Sequence, residues 1–596
     1  MEKQRKQHNF LHGALILVIS TAVVKVIGAI FKIPLGNLIG EVGMGYFSVA
    51  YDIYTPVYTI AMAGLPIAIS KLVAEAVAKE RFKDARSYFR VAKKAFFITG
   101  FIGFMLIALV AYPYTLWISK SFGALYSILV VAPSMLFCCV MACYRGYYEG
   151  LRNMNPTAVS QILEAAGKLV FGFGIAFLIV WAGIQDFQQT GTVFGEVITD
   201  VTPMSTPHPF FGSIPQAVFN ATLPYAAAGA IGGVTLGTLI GAIFLILRHK
   251  ICGDGITQME LEASPAPQPD RKNLKVLLVF ALPVVLGTLA QTAAGFVDVV
   301  MVQWELGQSV SLGEEAVRAS HGTALASTAA SEVPAYLYGC YRGFAYSFYN
   351  LIPTITSMIG ISVLPNMATA WAKNDEKMVK FNIEAVIRVV SIIAIPAGLG
   401  ISVLSEPILS IFYPNNPGGV LVSSKLLRWL AVSGILAGIS MPITSMLQAI
   451  GKQKVPIKNI LIGMGVKIVM NLCLIMVPQI NIMGAAYSTV ACYAVIVVLN
   501  IISLARHSKV MPNLWSTLGK PVISGVLCGV AAWVCYGLLN RVMAHTILAV
   551  AVAVVAAAIV YLIALFCLRT ISKEDVKLLP KGEKIAKVLA KFRLIG

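Results

Sequence analysis

The sequence predicts an all-α polytopic membrane protein of about 14 transmembrane helices, arranged as two six-helix lobes and two further C-terminal helices. Three observations predict it. First, 58% of the residues are hydrophobic and only 12% charged, where a soluble domain is about half apolar and about one quarter charged. That excludes a water-soluble enzyme, and it excludes disorder, which requires a chain poor in apolar residues. Second, apolar runs of roughly 20 residues or more recur along the whole chain, the length of a spanning helix and not of a barrel strand. Third, the excess of base, 46 Lys and Arg against 27 Asp and Glu, falls between the runs. Its bland reading is membrane topology, not nucleic-acid binding.

The runs fall near 13–34, 46–76, 94–116, 124–145, 157–183, 222–247, 275–302, 336–371, 383–404, 425–449, 457–478, 483–505, 521–540 and 546–568. The basic start, Met1–His12, precedes a run too long for a signal peptide, so it reads as a retained first helix. With the N-terminus inside, the cytoplasmic pieces hold 35 Lys and Arg and the outer loops hold four: Lys120, Arg318, Lys425 and Arg541. This bias places both termini in the cytoplasm. It also makes 184–221 and 303–335 long outer loops. The Pro-rich 263–269 lies in a linker, 251–274. That divides the chain into 1–250, an N-terminal six-helix lobe, and 275–508, a C-terminal one, with 509–596 as two extra helices and a basic tail.

The two lobes share an order of motifs. Ala50-Tyr51-x-x-Tyr54 opens span 2 and Ala345-Tyr346-x-x-Tyr349 lies in span 8. Gly150-x5-Pro156-x11-Lys168 is matched by Gly451-x4-Pro456-x10-Lys467, and spans 6 and 12 both end in Arg-His. A six-plus-six duplication in one orientation, hence a parallel pseudo-twofold repeat, follows from that order.

No phosphate-binding Gly-rich loop with Lys-Ser/Thr occurs, so ATP hydrolysis is not expected. The ten cysteines form no C-x-x-C pair, and the seven histidines are scattered. No metal, cofactor or nucleic-acid site is expected from them. What stands out is base within the spans: Lys25, Lys32, Lys71, Lys168, Arg342, Arg428 and Lys467, against the acids Asp52, Glu75, Glu164 and Asp298. Each such cation at the bilayer centre costs ~2.5–3.5 kcal/mol, so most should face a hydrated cavity or a partner.

Lys25 and Lys32 are seven apart and share one face of span 1. Lys25 stands ~15 Å from the outer end at the helical rise, too deep for easy snorkelling. Asp52 enters from the same side and could pair with either lysine. Lys71–Glu75 and Glu164–Lys168 are spaced i,i+4; the first reads as a structural ion pair or a snorkelling lysine near the inner end of span 2, and in the second Glu164 could neutralise Lys168 or leave it to the cavity. Lys32, Arg342 and Arg428 could snorkel or face the cavity. The tyrosines of 46–58 read as packing and interfacial belt. A cavity with basic walls suits an anionic solute, whose attraction its low-dielectric walls amplify.

Lys25-x-x-Gly28-x-x-x-Lys32-Ile-Pro34, Ala50-Tyr51-x-Ile-Tyr54 and Gly64-Leu-Pro66-x-Ala-Ile-Ser70-Lys71 resemble the polysaccharide-transporter branch of the multidrug/oligosaccharidyl-lipid/polysaccharide exporters. The resemblance is strongest to stage V sporulation protein B and lipid II flippase-like members. It is carried above all by Tyr144-Arg145-Gly146 and Glu149-Gly150, then Pro156, then Ser160-Gln161-x-x-Glu164. It covers about residues 8–510. It implies two lobes around a central cavity, alternating access, a bacterial plasma-membrane location, and a substrate that is an undecaprenyl-diphosphate-linked saccharide such as lipid II. It also implies a cavity role for Lys25 and, one place out of register, for Lys32. An ion site carried by an acid on helix 11 in some relatives has no acid here: span 11 offers Asn459, Lys467 and Asn471. The coupling ion is left open.

The expected substrate-binding set is therefore Lys25, Lys32, Asp52, Lys71, Lys168 and Arg342, with Arg145, Glu149, Pro156, Gln161 and Glu164 as the family motif. The expected partners are a lipid-linked anionic saccharide and membrane lipid. Three rival functions stand beside it. A multidrug/cation antiporter would need a deep acid, for which Asp52 is the candidate. A membrane glycosyltransferase or ligase would need outer-loop chemistry, for which Glu196, Asp200 and His208 are a thin case. A sporulation scaffold without transport would need none of these. The topology is testable by cysteine labelling from outside in a thiol-free background. A cysteine near Gly191 should react and one near Lys83 should not; the reverse pattern would sink the assignment.

Overall fold

The computed structural model describes residues 2–204, 206–542 and 546–570. Most of the basic C-terminal tail, 571–596, lies outside the described residues. The protein is helical almost throughout, as a bilayer requires: only helices satisfy every backbone N–H and C=O within one spanning segment. Twelve helices among the described residues are long and apolar enough to cross a membrane. In that set the expected runs 13–34 and 46–76 are joined as Val23–Ala78, and 275–302 is not among the twelve.

The chain forms two compact units. Unit 1 takes residues 1–307 and 327–339, and unit 2 takes 308–326 and 340–596. Compactness thus draws a different line from the expected break at 251–274, because the long helix Asp270–His321 gives its first part to unit 1.

Unit 1 begins with α1 (Glu2–Ala63), which is broken at Gly40, φ 59° and ψ −166°. Gly40 occupies a backbone region closed to residues with a Cβ. The break reverses the chain. Phe31 and Phe47 would stand ~24 Å apart on a straight helix, yet their rings are 6.0 Å apart. His208, from the segment between α6 and α7, places Nε2 3.0 Å from the Leu38 carbonyl beside the break. Burial lowers the pKa of this imidazole.

After Gly64 come α2 (Leu65–Ala78), α3 (Phe82–Pro113), α4 (Ala124–Val131), α5 (Ser134–Gly150), α6 (Asn155–Thr190) and α7 (Gln216–Cys252). α6 and α7 pack almost backbone to backbone. A Cβ on Gly233 would lie 2.2 Å from Gly172 Cα, and one on Gly237 would lie 2.5 Å from the Glu164 carbonyl oxygen. Such small-residue stripes replace the hydrophobic drive that helices lack inside lipid. A two-strand hairpin, Thr192–Val193 with Glu196–Val197, follows α6.

The linker is not free chain. α8 (Gln258–Ala263) opens on a capping box of Thr257 and Glu260. Arg86 donates to both Asp254 oxygens at 2.8 and 2.9 Å, and Tyr147 donates to Asp254 at 2.9 Å. Burial pushes the Asp254 carboxyl up, but these hydrogen bonds outweigh it and leave the pKa below the usual value. Asp84 accepts from the Gln268 N–H at 2.7 Å, and Asn273 donates to Ser87 at 2.8 Å. This brings the start of α9 (Asp270–His321) to the start of α3.

The expected outer loop 303–335 is helical up to His321, past a break at Gly313, and then takes short 3-10 turns. Its polar composition had the look of loop, but a helix that leaves the bilayer needs no apolar face. α10 (Val333–Tyr338) closes unit 1 against α1: a Cβ on Gly45 would lie 2.0 Å from the Ala335 carbonyl oxygen, and one on Gly339 1.9 Å from that of Glu41.

Unit 2 contains α11 (Tyr346–Tyr349), α12 (Leu351–Ala372), α13 (Glu376–Val403), α14 (Ser405–Phe412), α15 (Pro417–Ala449), α16 (Lys454–Leu474), α17 (Met483–Ser508), α18 (Lys520–Val542) and α19 (Thr546–Cys567). Ile352, Ile383, Ile387, Val390, Ile443 and Met446 form its centre. Asn500 donates to Ser440 and Thr444 and accepts from Asn459, which satisfies buried amides between α15, α16 and α17. Lys467 stands thirteen residues into α16, as Lys168 does in α6. α18 and α19 pack on α13, where Tyr561 donates to the Ile392 carbonyl at 2.7 Å.

Gly339→Val should destabilise the protein by ~1–3 kcal/mol through overpacking against Glu41. Thermal unfolding in detergent reads this as a lowered Tm. Gly174→Ala, whose Cβ meets nothing within 4 Å, is the control that should not lower it.

Candidate functional site

A cavity of about 460 Å³ lies inside unit 1. Three helical faces build it. Thr21, Val24, Lys25, Gly28 and Phe31 recur at helical spacing on the first arm of α1. Tyr51, Tyr54, Thr55 and Tyr58 do so on the second arm, and Gln161, Glu164, Ala165 and Lys168 on α6. Arg145 of α5 and Val234 of α7 complete the lining. The reversal at Gly40 turns the first two faces toward each other, and the close α6–α7 packing holds the third.

Among the described residues, the only acid in the lining is Glu164. It does not neutralise Lys168. Arg145 donates to Glu164 at 2.9 Å and, through Nε, to Ser160 Oγ at 2.9 Å. The guanidinium reaches Glu164 from α5, and its planar fork serves two acceptors at once. Arg145 is 6% exposed, stands within α5 and belongs to the cavity lining.

Lys168 is left with its charge. Its Nζ donates to Tyr51 Oη at 3.3 Å and lies 4.5 Å from the Tyr51 ring centroid and 5.4 Å from that of Phe31. Aromatic faces hold a desolvated cation without cancelling it. Lys25 is exposed to the cavity and has no hydrogen-bond or ion-pair partner among the described residues. Lys25, Lys168 and Arg145 thus face a single carboxylate.

The structure brings together Lys25, Lys168, Arg145, Gln161 and Glu164 from the expected set. Gln161 accepts from Ser20 at 3.1 Å. The other expected residues do not line this cavity. Asp52 is 8% exposed and accepts the Tyr338 hydroxyl on α10, because it lies about 100° round the helix from Tyr51. Lys32 is half-buried outside the lining. Lys71 does not pair with Glu75; it stands 4.0 Å from the Phe280 ring centroid, and Glu75 takes Lys79 at 2.7 Å. Arg342 belongs to unit 2, where its guanidinium lies 4.2 Å from the Tyr346 centroid. Glu149 ends α5 outside the lining, and Pro156 opens α6, where a missing N–H costs nothing.

The aromatic members of the cavity, Phe31, Tyr51, Tyr54 and Tyr58, have no place in the expected site. Tyr51, Tyr54 and Tyr58 fall at i, i+3 and i+7, and that one-face spacing was the available signal. Tyr54 Oη lies 3.0 Å from Cys138 Sγ, which fixes that ring against α5.

Residues 10–187 match the polysaccharide biosynthesis protein family, and residues 212–551 match the family of the lipid II flippase MurJ. The second stretch is more than half of the chain. The chain belongs to the MurJ family. Its relatives include the lipid II flippase MurJ of Bacillus subtilis, 24% identical over 84% of this chain and 83% of that one. They also include stage V sporulation protein B of the same organism, 22% identical over 96% and 98%. Among solved structures, lipid II flippase MurJ in an inward closed conformation superposes with a TM-score of 0.58 over 92% of this chain and 98% of that one, at 13% identity. An inward-facing multidrug resistance MATE transporter of the MOP superfamily gives 0.53 over 82% and 99%, at 14% identity. Both share the fold. As a MurJ-family member the chain is a multi-pass membrane transporter of the flippase type, acting on lipid-linked saccharide, and not an enzyme.

Glu164→Gln alone should cost ~3–5 kcal/mol, because it strands the buried Arg145; Arg145→Met should cost less, because Glu164 still faces the cavity. The double variant Arg145→Met with Glu164→Gln should recover much of that loss. Thermal unfolding of the four proteins in detergent checks it, and additive losses would contradict the pairing.

Proposed function

We propose that this MurJ-family chain carries an undecaprenyl-diphosphate-linked saccharide, lipid II or a related cell-envelope precursor, from the inner to the outer leaflet of the bacterial plasma membrane by alternating access. Lys25 and Lys168 bind the diphosphate. The observation that carries this reading is the sign of the cavity in unit 1: Glu164 is engaged by Arg145, so two ammonium groups are left uncancelled. A diphosphate gains from both in a space whose apolar walls focus their field. Tyr51, Tyr54 and Tyr58 offer hydroxyls and ring faces to the sugar or its phosphates. A cation antiporter would need an available carboxylate there, which argues for the anionic substrate. Both termini are cytoplasmic in this reading, supported by the distribution of Lys and Arg.

The test is flipping of lipid II into the outer leaflet of cells depleted of their own flippase, at matched protein levels. Lys25→Ala and Lys168→Gln should each weaken substrate binding about ten- to hundredfold, the loss of one charge-assisted contact of ~1.5–3 kcal/mol. Lys25→Arg should retain more activity than Lys25→Ala, since charge rather than donor geometry is required. Full flipping by a well-expressed Lys25→Ala protein would refute the binding role.

A further inference from the structure

A second concavity in unit 1, of about 580 Å³, has a different chemistry. It is a groove between the second arm of α1, α2, α3, α5 and α9, bounded by Val57, Ala61, Ile102, Leu106, Val279 and Leu282. Its lining is apolar except for Thr99, whose hydroxyl is already spent on the Ala95 carbonyl at 3.0 Å. Nothing in it could orient a polar solute.

The rim is open: Ile102 is 61% exposed, Val279 61% and Leu282 58%. It continues into the apolar face of α3, where Phe97, Ile98, Phe101 and Leu109 are also exposed. A helix face of that kind in a membrane protein is covered by hydrocarbon, so the groove fills from the lipid phase.

One end of the groove is basic. Lys275 lies one turn before Val279 and two before Leu282, on the same face of α9. Lys71 stands 4.0 Å from the ring centroid of Phe280, between the lining residues Val279 and Ala281. Both lysines are exposed. An ammonium above a ring still has hydrogen-bond donors to spare. This is the end where α9 meets α3, through Asn273 and Ser87. An apolar slot that ends in two lysines has the charge pattern of one amphiphile: a chain along the slot and an anionic headgroup at its mouth.

We propose that this groove binds an anionic glycerophospholipid, one acyl chain along Val57, Ile102 and Leu282 and the phosphate between Lys71 and Lys275. The groove shares no lining residue with the cavity that holds Lys25, and does not depend on which saccharide is carried.

The experiment is native mass spectrometry of the full-length protein in detergent, titrated with dipalmitoyl phosphatidylglycerol, with phosphatidylcholine of the same chains, and with undecaprenyl phosphate. Phosphatidylglycerol should bind about tenfold more tightly than phosphatidylcholine. Lys71→Gln and Lys275→Gln should each lose roughly tenfold for phosphatidylglycerol and little for phosphatidylcholine. Val279→Trp, which fills the slot from an exposed position, should weaken both lipids. Each variant's Tm must match the parent. Equal affinity for the two phospholipids, or phosphatidylglycerol affinity unchanged in both lysine variants, would overturn the proposal. So would displacement of phosphatidylglycerol by undecaprenyl phosphate at tenfold lower concentration, which would make it an isoprenyl-lipid site.

Discussion

A cation at membrane depth must be hydrated, paired or laid on an aromatic face, and unit 1 is organised around that requirement. Arg145 is paired with Glu164, Lys168 lies over Tyr51 and Phe31, and Lys71 lies over Phe280. Lys25 faces the cavity. The solutions are not equivalent. Pairing cancels charge, whereas an aromatic face or water preserves it. By engaging the cavity's one acid, Arg145 removes the group that would have cancelled Lys168, and so sets the sign of the whole space.

This arrangement depends on how closely the helices approach. Gly233 against Gly172 brings α7 onto α6, which aligns Gln161, Glu164 and Lys168 along one wall. The reversal at Gly40 lays the Lys25 face opposite the Tyr51 face. Gly45 and Gly339 let α10 reach α1, and it is there that Tyr338 takes Asp52 out of the cavity. In lipid, where burial of apolar surface gives no advantage to helix association, such backbone contact does the work of a hydrophobic core. The same unit holds two separate concavities. One is polar, basic and aromatic; the other is apolar with a basic mouth.

The helical membrane architecture was legible in the sequence because bilayer thickness imposes long apolar runs and forbids unpaired backbone. The resemblance to the polysaccharide-transporter branch was legible in the first helix and in the 144–164 string, both inside the stretch that matches the polysaccharide biosynthesis family. Partner choice was not. The i,i+4 spacing allowed Glu164 to meet Lys168 and Glu75 to meet Lys71, and both acids bind elsewhere: Glu164 to Arg145 nineteen residues away, Glu75 to Lys79. The aromatic faces that took up the two lysines come from Tyr51 and Phe31, and from Phe280, on distant stretches of chain.

The sequence by itself determined what the bilayer dictates: helices, their approximate positions, and which charges stand within the apolar runs. Only the tertiary structure decided which charges survive. A side chain's partner is set by the helix packed against it, and hairpin reversals and glycine contacts, not spacing along one helix, bring that neighbour within hydrogen-bonding distance. Thus Asp52 went to Tyr338, Arg145 entered the cavity, and Lys25 was left exposed to it.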